Sequence, residues 1–172
     1  MLDGDGAAFK GQVLIGGGTV ELATSGALGA GKVVFGSGTV SQTLVIDAPA
    51  APSAGGSFAN LLSNFADKHD AIDLTGLAFA PGATATASGT ALVLDDGGQT
   101  FKFRLAGAVG SAFAVSDDGH GGTLVKVKVA GLAQAAAALP KPGAGATAPG
   151  SRDPAGRAIP FVQATGSAGG RA

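Results

Sequence analysis

Cysteine, tryptophan and tyrosine are absent from the chain, and glutamate, methionine and histidine are scarce, with one, one and two copies. Without cysteine there can be no disulfide and no thiolate metal centre. Phenylalanine is the only aromatic residue, with nine copies against 31 glycines, a supply that suits thin stacked layers of small side chains better than a thick core. Glu21 is the sole glutamate beside eleven aspartates, and Asp with Gly favours turns over helices. No run of about 18 apolar residues occurs, so no membrane-spanning helix is expected. The opening Met1-Leu2-Asp3-Gly4-Asp5-Gly6 has neither the positive start nor the apolar stretch of a secretory signal. If the protein leaves the cell, either the export information lies at the C-terminus or the chain is a piece of a longer one.

What remains is 45% hydrophobic, much of it alanine, which is enough for one domain. Residues 1 to 130 hold eleven acidic and seven basic side chains, residues 131 to 172 one and four. Nucleic-acid binding needs a clustered basic face, so no nucleic-acid partner is expected of the folded part.

Period-two patterns dominate. In Gln99-Thr100-Phe101-Lys102-Phe103-Arg104-Leu105 the apolar residues share one face and the cations the other, which predicts a half-buried strand. Thr90 to Leu94 precedes it across Asp95-Asp96-Gly97-Gly98, predicting a hairpin. A second hairpin is predicted from residues 112 to 115 and 123 to 129, where Val125, Val127 and Val129 alternate with Lys126 and Lys128. Nearer the start, Gly18-Thr19-Val20 is echoed at Gly38-Thr39-Val40, each beside another apolar run. A spacing near 20 with Gly before each strand predicts stacked solenoid rungs over 11 to 47, the alternative being an antiparallel meander. Residues 48 to 56, rich in Ala, Pro and Gly, form a spacer that regular structure should not cross. Beyond it Phe58, Leu61, Leu62 and Phe65 fall at i, i+3, i+4 and i+7, a spacing that predicts a short helix capped by Ser57. From 130 onward Pro140 and Pro142 stop the Ala-rich run, and the Ala/Gly/Pro-rich tail to 172 is expected to be disordered.

One combination points to a family. Asn64-Phe65, Asp67-Lys68-His69-Asp70 and Ala71-Ile72-Asp73-Leu74-Thr75-Gly76-Leu77, then a hairpin and Asp117-Asp118-Gly119, Gly121-Gly122-Thr123-Leu124, resemble the terminal β-modules of bacterial secreted and surface β-strand-repeat proteins related to the repeats-in-toxin (hemolysin-type) and adhesin families. The resemblance spans roughly residues 17 to 129. It implies an all-β fold, a short β-solenoid-like stack of Gly-rich rungs followed by antiparallel hairpins, with 57 to 129 as the terminal hairpin module. It further implies an extracellular or cell-surface setting, with neighbouring β-repeats of a longer chain or a cell-surface ligand as partners. For the Phe58 segment it implies a strand-like or irregular rung rather than a helix. The calcium-binding nonapeptide GGxGxDxUx is not present in intact repeated form, and residues 2 to 6 match only a fragment of it.

Three clusters of ionisable residues stand out. Asp67, Asp70 and Asp73 around His69 could offer oxygens to calcium, a hard cation that takes six to eight oxygen ligands, and Asp117 and Asp118 complete the candidate set. The alternative for the first cluster is a solvated loop before a strand, with Asp73 accepting bonds from nearby backbone N–H groups. Asp117, Asp118 and His120 could equally hold a transition metal or simply build a hairpin turn, as could Asp95 and Asp96. Neither His69 nor His120 accompanies a nucleophile elbow, and no glycine run is followed by a Walker lysine, so no enzyme is expected. The functional expectation is a non-enzymatic structural or adhesive module. A calcium-dependent folding module and a non-catalytic region of a secreted enzyme are the alternatives.

Overall fold

The computed structural model describes residues 1–107 and 112–128; Val129 and the expected tail from 130 onward lie outside them. The described strands all belong to one unit, Met1–Leu132. Among the described residues every regular element is a strand: β1 (Gln12–Ile15), β2 (Gly18–Leu22), β3 (Lys32–Phe35), β4 (Gln42–Ile46), β5 (Ser57–Ser63), β6 (Asp70–Leu74), β7 (Thr84–Ser88), β8 (Ala91–Asp96), β9 (Gln99–Leu105), β10 (Ala112–Asp117) and β11 (Thr123–Lys128). They form a six-stranded sheet in the order β1-β3-β5-β9-β8-β7 and a five-stranded sheet in the order β10-β11-β6-β4-β2.

The chain alternates between the sheets for its first six strands, so each turn lays one strand on either side of a shared interior. Parallel pairing runs through β1-β3-β5-β9 in one sheet and β2-β4-β6 in the other. That excludes a meander of consecutive antiparallel strands over 18–46. Antiparallel pairing then takes over, β9-β8-β7 on one side and β6-β11-β10 on the other. At the opposite end Leu2 lies parallel beside Leu22, its N–H donating to the Glu21 carbonyl at 2.8 Å.

The twenty-residue echo is real in one sheet and misplaced in the other. Gln12 pairs with Lys32 and Ile15 with Phe35, an offset of twenty, but Gly18 pairs with Gln42. Residues 38–40, the second copy of the motif, lie in the turn between β3 and β4, where Val40 is 57% exposed. The connecting turns differ in length, and side-chain burial rather than motif identity sets the register, since a one-residue slip would expose Leu44 and Ile46.

The predicted helix at residues 57–65 is instead β5. Phe58 and Leu62 face the interior while Leu61 faces out, and Phe65 reaches back from the following turn to meet Phe35 with ring centroids 5.0 Å apart. Asn60, on the inward side between Phe58 and Leu62, breaks the visible alternation because its amide is used inside: Nδ2 donates to the Gly29 and Gly31 carbonyls at 3.1 and 2.8 Å. The spacer behaves as expected, with no strand between Ile46 and Ser57.

The interior is not built from small side chains. Five of the nine phenylalanines, Phe35, Phe58, Phe65, Phe101 and Phe103, are buried between the sheets with leucine, isoleucine and valine. Each such side chain contributes about 1.5–3 kcal/mol by leaving water. A two-sheet interior about 10 Å thick takes Phe and Leu from facing strands. Both predicted hairpins form. The β8–β9 turn centres on Gly97 and Gly98, whose φ values of 60° and 79° fit the two left-handed positions of a tight hairpin turn.

Three buried polar side chains hold the turns. Gln42 and Asp70 are paired in register at the start of β4 and β6, and each reaches back over the turn that precedes its strand. The Gln42 side-chain oxygen accepts from Gly36 N–H at 2.5 Å while its Nε2 donates to the Gly36 carbonyl at 2.9 Å. Asp70 Oδ2 accepts from the N–H groups of Ala66 and Asp67 at 3.0 and 2.8 Å. Asp96 joins the sheets: Oδ1 accepts from Ala80 N–H at 2.8 Å, and Oδ2 takes the Thr123 hydroxyl of β11 at 2.5 Å.

Candidate functional site

Alternation along β6 decides the fate of the five-aspartate set. Asp70 and Asp73 are an odd number of residues apart, so their side chains leave opposite faces of the sheet. Asp70 is fully buried on the inner side, while Asp73 stands on the outer side, partly exposed. The aspartates therefore form two groups.

The first group is Asp67 with Asp70. Asp67 Oδ1 accepts from His69 N–H at 3.0 Å, closing an Asx turn, and Asp70 takes the two turn amides described above. Backbone donors go to Asp70 rather than to Asp73, against expectation, because Asp70 is the residue that points into the turn. Asp70 Oδ1 is buried without a hydrogen-bond partner. Burial raises its pKa above 3.8 despite the two amide donors.

The second group lies on the outer face of the five-stranded sheet, where Asp73 meets the β10–β11 turn. Asp117 Oδ1 accepts from Gly119 N–H at 2.5 Å. Asp118 Oδ1 accepts from His120 and Gly122 N–H at 2.6 and 2.8 Å. Those amides, His120 first, hold the Asp118 pKa below 3.8. Asp73 goes the other way: burial, then the neighbouring Asp118 carboxylate, raises its pKa, and its Oδ1 is buried with no partner. His120 reaches this cluster chiefly through its backbone N–H.

Neither group offers the six to eight convergent oxygens that calcium takes. Several of the carboxylate oxygens already serve turn amides, and among the described residues no group of three or more His, Asp or Glu side chains is arranged to hold a metal ion. Of the remaining pair, Asp95 is exposed in β8 and Asp96 is the buried link between the sheets.

A feature absent from the sequence reading lies on the outer face of the six-stranded sheet. Lys10, Lys32 and Arg104 line a groove of about 510 Å³ with Gln12 and Leu61, and no acidic side chain lines it. Register explains the convergence: Gln12 stands beside Lys32, Lys32 beside Leu61, and Leu61 beside Arg104. The outward placement of Arg104 was legible from its alternation with Phe103 and Leu105. That β9 inserts beside β5, bringing Arg104 towards a lysine 72 positions earlier, has no local signal.

No helix among the described residues is long and apolar enough to cross a membrane. No protein-family model, no curated protein and no solved structure matches the chain.

Proposed function

We propose that the chain is a non-enzymatic structural or adhesive module of a secreted or cell-surface β-strand-repeat protein. Its task is to end a two-sided, solenoid-like parallel β-stack. The observation that supports this is the change of pairing sense: parallel ladders run through β1-β3-β5-β9 and β2-β4-β6, and antiparallel hairpins then cover the far side of both. Open parallel edges are templates for further strands, and a hairpin laid along each replaces the parallel edge with an antiparallel one, β7 or β10, that no longer carries the register of the rungs. The side occupied by β1, β2 and Leu2 keeps the parallel register that neighbouring rungs would need.

Truncation after Leu77 tests the reading, because it removes β7 to β11 and leaves β5 and β6 as edges. The truncated chain should keep a β-type circular dichroism spectrum and sediment as end-to-end assemblies, while the full chain stays small. A truncated chain that remains folded and monomeric contradicts the proposal.

A second reading, a calcium-responsive folding module related to the repeats-in-toxin family, is favoured by the two unpartnered buried oxygens of Asp70 and Asp73. It would use the two groups separately, Asp67 with Asp70 and Asp73 with Asp117 and Asp118. Calorimetric titration separates the two: no heat and no thermal shift at millimolar calcium removes the second.

A further inference from the structure

We propose that the cationic groove on the outer face of the six-stranded sheet binds an acidic oligosaccharide, a sugar chain carrying carboxylates at intervals. The inference rests on the adhesive half of the function proposed above and is independent of how the β-stack ends.

Three properties of the groove select this ligand class. The first is charge. Lys10, Lys32 and Arg104 supply cations with no carboxylate among the lining residues, in a part of the chain where acids outnumber bases eleven to seven. Asp95, an acid on the same face, pairs with Thr100, four residues along β9 from Arg104. A guanidinium and an ammonium suit carboxylates through charge-assisted hydrogen bonds.

The second property is spacing. Lys32 on β3 and Arg104 on β9 are two strand steps apart, about 10 Å at the usual interstrand distance. Separate acid groups on a chain with neutral sugars between them match this better than a duplex nucleic acid, in which each strand carries a phosphate about every 3.4 Å of helix axis. A polymer that dense in charge would also meet the net-negative remainder of the module.

The third property is hydrogen bonding: the Gln12 amide, paired beside Lys32, lines the groove and is available to sugar hydroxyls.

The test is calorimetric titration of the full chain with an octasaccharide of alternating glucuronate and N-acetylglucosamine. Two further arms use the same octasaccharide with its carboxyls reduced to alcohols, and single-stranded oligodeoxythymidylate. Binding is expected for the first alone, weakening as salt rises. Lys32→Gln and Arg104→Gln should each bind roughly tenfold more weakly, the equivalent of about 1.4 kcal/mol. Lys126→Gln/Lys128→Gln, which removes two cations from the outer face of the other sheet, should bind as the parent does. Circular dichroism and sedimentation of each variant establish that the fold and the state of association are unchanged. No binding of the acidic octasaccharide, equal binding of the reduced one, equal or tighter binding of the oligodeoxythymidylate, or equal loss in the Lys126/Lys128 variant would each overturn the proposal. Because sedimentation of the truncated chain reads the stack ending separately, failure of either inference is recognisable by itself.

Discussion

Asp96 is the most exacting place to perturb the fold, because one buried carboxylate serves both sheets. Its Oδ1 takes Ala80 N–H and its Oδ2 takes the Thr123 hydroxyl, and both Asp96 and Thr123 are removed from solvent. In Asp96→Ala the Ala80 amide loses its acceptor, and a hydrogen bond to a charged group contributes about 1.5–3 kcal/mol. The Thr123 hydroxyl keeps an alternative acceptor, the Leu77 carbonyl at 3.0 Å, so its loss is partly offset. Relief of the buried charge offsets a little more. The expected destabilisation is about 2–4 kcal/mol, a large share of the 5–15 kcal/mol typical of a domain. Urea unfolding followed by circular dichroism measures it, with an unchanged m-value as the sign that the same surface unfolds. Asp96→Asn should cost only about 1 kcal/mol, because its carbonyl still accepts from Ala80 and its amide can donate to Thr123 Oγ1 while the hydroxyl turns to Leu77. If Asp96→Ala costs under about 0.5 kcal/mol, as exposed substitutions do, the carboxylate does not link the sheets and the hairpins are held by apolar contacts alone.

Two further outcomes follow from the polar side chains. Asp73 has a folded-state pKa above its unfolded value, so the folded state binds that proton more tightly. Its favourable contribution is fully present below about pH 3.8 and is lost as pH rises through the folded pKa. Asp73→Asn should therefore melt higher than the parent at pH 7, with the gap closing towards pH 3; a variant that melts lower at pH 7 refutes the assignment. Gln42→Ala should cost about 1–3 kcal/mol by leaving the Gly36 carbonyl without its side-chain donor. Gln42→Glu should cost at least as much at neutral pH, since a carboxylate would face that carbonyl. Chemical denaturation of the two variants checks the order.

Strands with uninterrupted alternation were legible: β9 through Phe101, Phe103 and Leu105, and β11 through Val125 and Val127. Where an inward position is polar for a structural purpose, the pattern misleads. Asn60 made β5 look helical, and Gln42 and Asp70 hid the inward columns of β4 and β6, because the hydrogen bonds they make in the turns cannot be seen before those turns exist. Register was half legible. The twenty-residue offset holds from Gln12 to Lys32, but longer turns move the partner of Gly18 to Gln42. The five aspartates divide into two groups for a reason present in the sequence, the odd separation of Asp70 and Asp73. The Lys10, Lys32 and Arg104 groove depends on the insertion of β9 beside β5, which is a property of the whole sheet.

The fold rests on parallel stacking of its first six strands, and engineered disulfides test that stacking directly because the chain has no cysteine of its own. Glu21 and Val45 are register partners on the outer face, a separation of 24 residues. Neighbouring strands lie about 4.8 Å apart, close to the span a disulfide accepts, so Glu21→Cys/Val45→Cys should oxidise readily in the folded protein. Glu21→Cys/Ser41→Cys, at the twenty-residue offset of the repeated motif, should remain reduced under the same conditions. Rapid cross-linking of the second pair and none of the first would contradict the register and the parallel stack built on it.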